Sequence, residues 1–398
     1  MKRIALLFIC LCMLFLSSCG DRREQAEKAE EIRALWISIY DMSQFKEIGE
    51  GGFRAKAENM FRDIGERGFE HVFIQVRPSS DALYKSEIFP WSKYISGEQG
   101  KSPGYDPLEI FLDVAHSHNL KVHAWINPYR ISGTSSDMEN LSSDNPAREM
   151  YEQNRNDIYF STQGIYYNPA SERVQKLILD GVRELVNNYD IDGIHIDDFF
   201  YPTTDEEIDK NEFAVYHKNS GTYTLQEWRR SQVNAFVSGM YSVAKNKDKN
   251  IIVSISPCAD IGENKNTHFA DVEKWCSESG FCDWIIPQVY YGFKNEYMPY
   301  KKTVDEWCSL VTNENIKLVI GLASYKCGEE DLYAGKGQNE WQTSDNILSE
   351  QLDYLRKKDC DGFSLFSYNS LSLPNETMEK EWENFSGKLT EESSDSSA

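Results

Sequence analysis

The stretch "IDGIHIDDFF", residues 191–200, begins as a buried β-strand and ends on two adjacent carboxylates and two aromatic rings. Successive side chains of a strand point to opposite faces. Ile194 and Ile196 therefore share one face, and Gly193, His195 and Asp197 share the other. Such a strand suits a place where one side packs on helices and the other looks into an enclosed interior. Seven further runs read as strands, at 32–40, 71–78, 121–128, 251–257, 283–291, 317–325 and 361–368. Amphipathic stretches separate them, among them 54–68, 106–119, 171–189 and 225–247. Asp106 before Pro107, and Ser171 before Glu172, supply helix N-caps. Repeated strand–helix units imply parallel strands, and eight of them imply a closed (β/α)8 TIM barrel whose extended βα loops form a cleft at its C-terminal face. An open doubly wound sheet fits less well, because no glycine-rich phosphate turn follows the first strand.

The ends of the chain read differently. Lys2 and Arg3, an apolar run from Ile4 to Leu16 and the ending "LSSC" read as a lipoprotein signal peptide over 1–18, with lipid attached to Cys19. A polar tether over 19–31 follows, then a single barrel domain over 32–388 and a disordered acidic tail over 389–398. This organisation places the protein in the cell envelope, touching a membrane through its lipid only. The net charge of −22, more acidic still once Lys2 and Arg3 are removed, argues against nucleic acid as a partner. Outside the leader and Cys19 the cysteines are Cys258, Cys276, Cys282, Cys308, Cys327 and Cys360, with no C-x-x-C pair to suggest a zinc or redox motif; export makes disulfides possible with no pairing singled out, and most read as small buried hydrophobes. No cofactor or metal is expected, and the sequence carries no mark of oligomeric state.

Strand parity also selects the site. It turns Phe73, Gln75 and Arg77 inward on the second strand, His123, Trp125 and Asn127 on the third, and Ile286, Gln288 and Tyr290 on the sixth. A purely structural barrel core would use Val, Ile and Leu there. Paired carboxylates among amides and aromatics suit hydrolysis of glycosides, with aromatic rings stacking on sugars. Asp197 and Asp198 are the catalytic candidates. Arg77, Asp81, Trp91, His123, Trp125, Asn127, Tyr129, His195, Tyr201, Gln288 and Tyr290 are the candidates for holding substrate. The long stretches 131–170 and 203–223 are expected to wall the cleft.

Several blocks together resemble a known family: "RALWIS" (33–38), "FIQVRPSSDALYKSEIFPWSKYISGEQGKSPGYDPL" (73–108), "VHAWINPYR" (122–130), "YYNPA" (166–170), "NYDIDGIHIDDFFYP" (188–202), "ISP" (255–257) and "DWIIPQVYY" (283–291). The chain is similar over nearly all of its mature length to the glycosyl-hydrolase-like, family-10-like group of bacterial barrel lipoproteins. The resemblance implies a barrel glycosidase, some of whose relatives act on peptide-free peptidoglycan strands, and it implies the carboxylates at 197 and 198 as catalytic. Cys258-Ala259 and Tyr290-Tyr291 stand where the family pattern has Phe-Gly and Tyr-Trp, which bears on pocket shape.

Adjacent aspartates resemble the pair in barrel hexosaminidases that use the substrate's own N-acetyl group as nucleophile. In that scheme Asp197 orients the acetamide and Asp198 protonates the leaving oxygen. The competing scheme pairs Asp197 with Asp81, Asp260 or Asp271 as a second, distant carboxylate. Two rivals come from other classes: a glycan-binding lipoprotein without turnover, and a metal-dependent deacetylase or amidohydrolase using His123, His195 and Asp197.

Overall fold

The computed structural model describes residues 31–395 apart from 134, 163 and 359. The leader, Cys19 and almost all of the expected tether lie outside the described residues. Eleven strands run in chain order among the described residues: β1 Ile32–Ile37, β2 His71–Arg77, β3 Lys121–Ile126, β4 Arg130–Ser132, β5 Ile158–Ser161, β6 Gly164–Tyr167, β7 Gly193–Ile196, β8 Ile252–Ile255, β9 Trp284–Ile285, β10 Lys317–Leu322 and β11 Gly362–Leu365. Eight of them close a barrel in the order β1-β11-β10-β9-β8-β7-β3-β2, every pairing parallel. The expected (β/α)8 architecture is therefore the observed one.

The strands stop earlier than the apolar runs suggest. Pro257 and Pro287, which have no N–H to donate, interrupt the ladder at the mouth. Beyond Ile285 the sixth barrel strand continues only as single bridges from Gln288 to Cys258 and Gly321. The residues past the ladder are thereby released to build loops. In the β3–β7 connection β4, β6 and β5 form a small antiparallel sheet at the rim.

Packing follows the alternation. Leu35, Ile37, Val72, Ile74, Ala124, Ile126, Ile194 and Ile196 join the large core between strands and helices. Ala34, Trp36, Phe73, Trp125, Trp284, Ile286 and Val319 fill the barrel axis as a second, smaller cluster. Helices are seated by local signals. Asp106 accepts from the amides of Leu108 and Glu109 with Pro107 in the first turn, and Ser171 accepts from Val174. The final helix is Glu376–Asp395, which reaches into the segment expected as a disordered acidic tail, and residues 396–398 lie outside the described residues. Met378, Phe385 and Leu389 lie buried along one face, and that apolar stripe carries the helix into the acidic segment.

The N-terminal ends of the strands are held by a device used three times. Asp192 accepts from Val122 N at 2.7 Å, Asp283 from Val253 N at 2.7 Å and Asp361 from Leu318 N at 2.8 Å. Each aspartate stands just before one strand and grips the neighbouring strand's start, satisfying an amide that the parallel ladder leaves open. Each also meets a basic side chain: the His116 imidazole is hydrogen-bonded to Asp192 at 2.9 Å, and Lys245 and Lys317 are ion-paired to Asp283 and Asp361, each at 2.7 Å.

Gly193 opens β7 with no room for a side chain: a Cβ there would overlap His123 Nδ1 and stand 2.7 Å from the carbonyl oxygen of Ile252. Gly193→Ala is expected to cost about 2–3 kcal/mol of stability through overpacking, read from the urea midpoint at unchanged m-value. A variant as stable as wild type would show that β7 can shift relative to β3 and β8.

Candidate active site

Asp197 and Asp198 follow β7 directly, where the chain leaves the barrel in a tight turn with the Phe200 amide donating to the Asp198 carbonyl at 3.1 Å. Asp197 keeps the inward parity and is 8% exposed; Asp198 is half-buried beside it. Asn127, one residue past β3 and fully buried, donates its amide to both oxygens of Asp197 at 3.2 and 3.0 Å. The Phe199 amide adds a longer bond to the same carboxylate at 3.4 Å. Asp197 is thus fixed from two elements. Asp198 faces the Gln288 amide and His268.

The pair lines a chamber of about 390 Å³ together with Gln75, Trp125, Ser256, Gln288, Tyr290 and Tyr325. Trp36 and Phe366 belong to the same lining. A second chamber of about 570 Å³ adjoins it, and the two share Ile39, Tyr40, Arg130 and Phe199. The outer chamber is walled by Ile131, Ser132, Ser135, Asn140, Leu141 and Tyr166, so the 131–170 stretch does build the cleft. The 203–223 stretch, expected to do the same, lines neither chamber. Its helix Lys210–Lys218 instead borders a separate groove with Trp228 and Gln232.

Gln75, Trp125, Asn127, Gln288 and Tyr290 therefore stand at or directly behind the cleft as parity required, and Asp81 lies on the outer chamber, where Gln99 donates to it at 3.1 Å. Six expectations are corrected. A register shift between Gln75 and Arg77 sets Arg77 opposite Ile126, on the helix side. There its guanidinium donates to the carbonyls of Pro128 and Ser79 and lies 4.7 Å from the Phe89 ring. His123 and His195 are inward but belong to the layer beneath the cleft. His123 Nε2 meets His71 Nδ1 at 3.0 Å. His195 Nε2 accepts from the Trp36 indole at 3.0 Å, so its Nδ1 carries the proton and donates to Ser254 Oγ at 2.8 Å. Burial pushes His195 down to about 3, which keeps it neutral. Tyr129 is buried against Phe236. Tyr201 donates to Asp209 at 3.1 Å beneath the Arg229 guanidinium. Trp91 is half-buried in a bridge with Ala82, off both chambers.

The guanidinium that does reach the cleft is Arg130. It stacks on Phe199 at 4.2 Å where the two chambers meet, and its guanidinium makes no hydrogen bond or ion pair to another described residue. Parity could not find it, because the Asn127-Pro128 turn breaks the alternation before β4. Its place in "VHAWINPYR", three residues past Asn127, was the available signal.

Burial raises Asp197, the charge of Asp198 raises it further, and Arg130 opposes both. Burial also raises Asp198, against the pull of His268, Gln288 and Arg130. Two carboxyls adjacent in a buried site cannot both ionise cheaply, so the pair retains a proton well above the ordinary carboxylate range. Burial also keeps the Tyr290 phenol protonated beside them. The chamber accordingly offers one proton donor, one oriented carboxylate and a neutral hydroxyl.

A closed (β/α)8 barrel with an acidic pair at the C-terminal end of its fourth barrel strand, in a cleft rimmed by aromatics, is the architecture of glycosidase-like barrels. The fold is shared with the catalytic domain of β-amylase from Paenibacillus polymyxa, at a TM-score of 0.59 and 10% identity, covering 90% of this chain and 98% of that one. The chain belongs to the family Glycosyl hydrolase-like 10, which it matches over residues 31–342. It is 33% identical over 324 residues to glycosyl hydrolase YngK of Bacillus subtilis (strain 168), covering 76% of this chain and 62% of that relative. It is 32% identical over 309 residues to glycosyl hydrolase DigH of Escherichia coli (strain K12), covering 72% and 69%. The chain thus spans less than two thirds of YngK's length.

The shared proton has a thermodynamic consequence. A carboxyl whose folded pKa lies above its unfolded value contributes stability that is full below the unfolded pKa and lost as pH rises through the folded one. Asp198→Asn removes one such group and the like charge that raises the other. Its stability relative to wild type is expected to improve by about 1–2 kcal/mol between about pH 4 and about pH 8, measured by urea unfolding at both. A difference that does not change with pH would sink the shared-proton assignment.

Proposed function

We propose that this chain hydrolyses glycans built from acetamido sugars, with peptidoglycan-type strands as the favoured substrate, and that Asp197 and Asp198 carry the reaction. One observation weighs most: among the described residues, the inner chamber is lined by no carboxylate except this adjacent pair. Of the alternatives for a distant second carboxylate, Asp260 and Asp271 are spent as helix N-caps, accepting from the amides of Glu263 and Lys274, and neither lines the chamber. Asp81 lies in the outer chamber, bonded to Gln99. This distribution favours a mechanism whose nucleophile comes from the substrate.

In that mechanism the Asp198 carboxyl donates its proton to the glycosidic oxygen as the C1–O bond breaks. The acetamide carbonyl oxygen attacks C1 and closes a five-membered oxazolinium ring. Asp197, held by Asn127, accepts from the acetamide N–H and balances the positive charge that develops there. Water then attacks C1, Asp198 takes its proton, and the ring reopens with net retention. Trp125 and Tyr290 stand beside the reacting sugar, and the Tyr290 hydroxyl can donate to the ring as it forms. Arg130 gives the cleft a cation suited to a carboxylate-bearing sugar, the role that sequence parity had offered to Arg77. The metal-dependent alternative is weakened because His123 and His195 spend their Nε2 atoms in the layer beneath the cleft.

The test is to incubate the protein with peptide-free peptidoglycan strands, chitin oligomers and plain hexose oligomers and to follow product masses. Acetamido glycans are expected to be cleaved, carboxylate-bearing strands best. Asp197→Asn and Asp198→Asn are each expected to lose about 10²–10⁴-fold in turnover with the fold intact. Cleavage of plain hexose oligomers would falsify the N-acetyl scheme. Binding of strands with no turnover would favour the glycan-binding alternative.

The leader motif supports a lipid anchor at Cys19 and a cell-envelope location. Cys19→Ser is expected to move the protein from the membrane fraction to the soluble one, and an unchanged distribution would reject the anchor.

A further inference from the structure

The cysteines carry an observation that the cleft does not use. Cys308 lies in the helix Tyr300–Leu310, and Cys360 stands two residues before β11. Their sulfur atoms are 3.7 Å apart, and both residues are half-buried. Among the described residues, no other two cysteine sulfurs come within hydrogen-bonding reach of each other. The backbone around the pair is already fastened. Asp305, one turn before Cys308, is ion-paired to Lys358 at 2.8 Å and accepts from the Tyr354 hydroxyl at 2.7 Å. The two thiols therefore sit on segments that other contacts hold together. A disulfide needs its sulfurs about 2.05 Å apart, an approach that side-chain rotation can supply.

We propose that Cys308 and Cys360 are joined by a disulfide when the protein meets a disulfide oxidant, and that this bond braces the end of the barrel opposite the cleft. Cys308 attacks first: its thiol is pushed down by the hydrogen bond with Cys360, and Lys358 acts in the same direction. The thiolate displaces one thiol from the oxidant, which is a small-molecule or exchange-protein disulfide, and forms a mixed disulfide. Cys360 then attacks the Cys308 sulfur and releases the second thiol. Two protein thiols become one disulfide, and the oxidant takes up two electrons and two protons. The closed loop contains β10 and the helix Ile347–Lys357, so the bond ties the helix of the sixth strand–helix unit to the start of the last strand, across the whole of the seventh unit. Cys360 precedes the N-terminal end of β11 while the aspartates follow the C-terminal end of β7, so turnover should be indifferent to the bond.

The full chain is equilibrated with a mixture of oxidised and reduced glutathione poised to oxidise, trapped by alkylation, digested without reductant and mapped by mass. The expected result is one linked peptide pair containing Cys308 and Cys360, absent from Cys308→Ser and from Cys360→Ser and reversed by dithiothreitol. The melting temperature of the oxidised wild type is expected to exceed that of the reduced form by on the order of 5 °C. Alkylation of both cysteines after oxidation, or a dominant link between other cysteines, overturns the pairing. A bond that forms without raising the melting temperature overturns the bracing role. Because the readouts are covalent mass and melting, they stand apart from whether the cleft hydrolyses glycans.

Discussion

A closed parallel barrel has to fill its own axis, and how this one does so governs what its mouth can hold. The inward residues beneath the cleft are not the branched aliphatics that fill many barrels. They are Trp36, Phe73, Trp125 and Trp284 with His71, His123 and His195 set among them. Rings of this size leave no space for side chains on every strand, which is why β7 begins with Gly193 against His123. Imidazoles in such a place must be neutral and bonded, and the indole-to-His195-to-Ser254 chain meets that demand. The result is a closely packed, buried layer directly under Asp197.

Burial is what turns two ordinary aspartates into an acid and an oriented base. On an open surface, adjacent carboxylates would both ionise and simply repel through water. Here burial is the largest contribution to both shifts, and the neighbour's charge adds to it for Asp197. Asn127 and the Phe199 amide donate to Asp197, while the Gln288 amide and His268 face Asp198, so the two carboxyls are held by different elements. The asymmetry of the proposed roles follows from which elements supply the donors to each carboxyl. It does not depend on any difference between the two side chains themselves.

The sequence was most legible where regular geometry repeats, and least where it breaks. Period-two alternation placed Gln75, Trp125, Gln288 and Asp197 correctly because each lies on, or close beyond, an unbroken strand. It failed for Arg77, where a single bulge exchanges the faces, and no composition signal in "FIQVRP" marks that bulge. It was silent on Arg130 and Phe199, which reach the cleft from the start of β4 and from the turn after β7, placed by tertiary packing. Tyr129 and Tyr201 misled for the same reason: an aromatic just past a strand end has no parity, and both turned into the core. His123 and His195 were read on the correct face but at the wrong depth, since alternation reports direction and says nothing about height along the axis.

The two ends of the barrel divide the work between stability and chemistry. At the N-terminal end, carboxylates are used up: Asp192, Asp283 and Asp361 each satisfy a neighbouring strand's amide and meet an imidazole or a lysine ammonium. At the C-terminal end Asp197 and Asp198 meet only partial compensation, from amides, an imidazole and a guanidinium that stacks on Phe199 and pairs with neither. A fold can keep two under-compensated, buried acids side by side only if the rest of the structure supplies stability to spare. The gripping aspartates are part of that supply, because they lock strand register where no substrate has to enter. Register is also what positions the site: Asn127 can reach Asp197 only while β3 and β7 hold the pairing of Trp125 with His195. The ion-paired end, farthest from the chemistry, is thus one of the conditions for it.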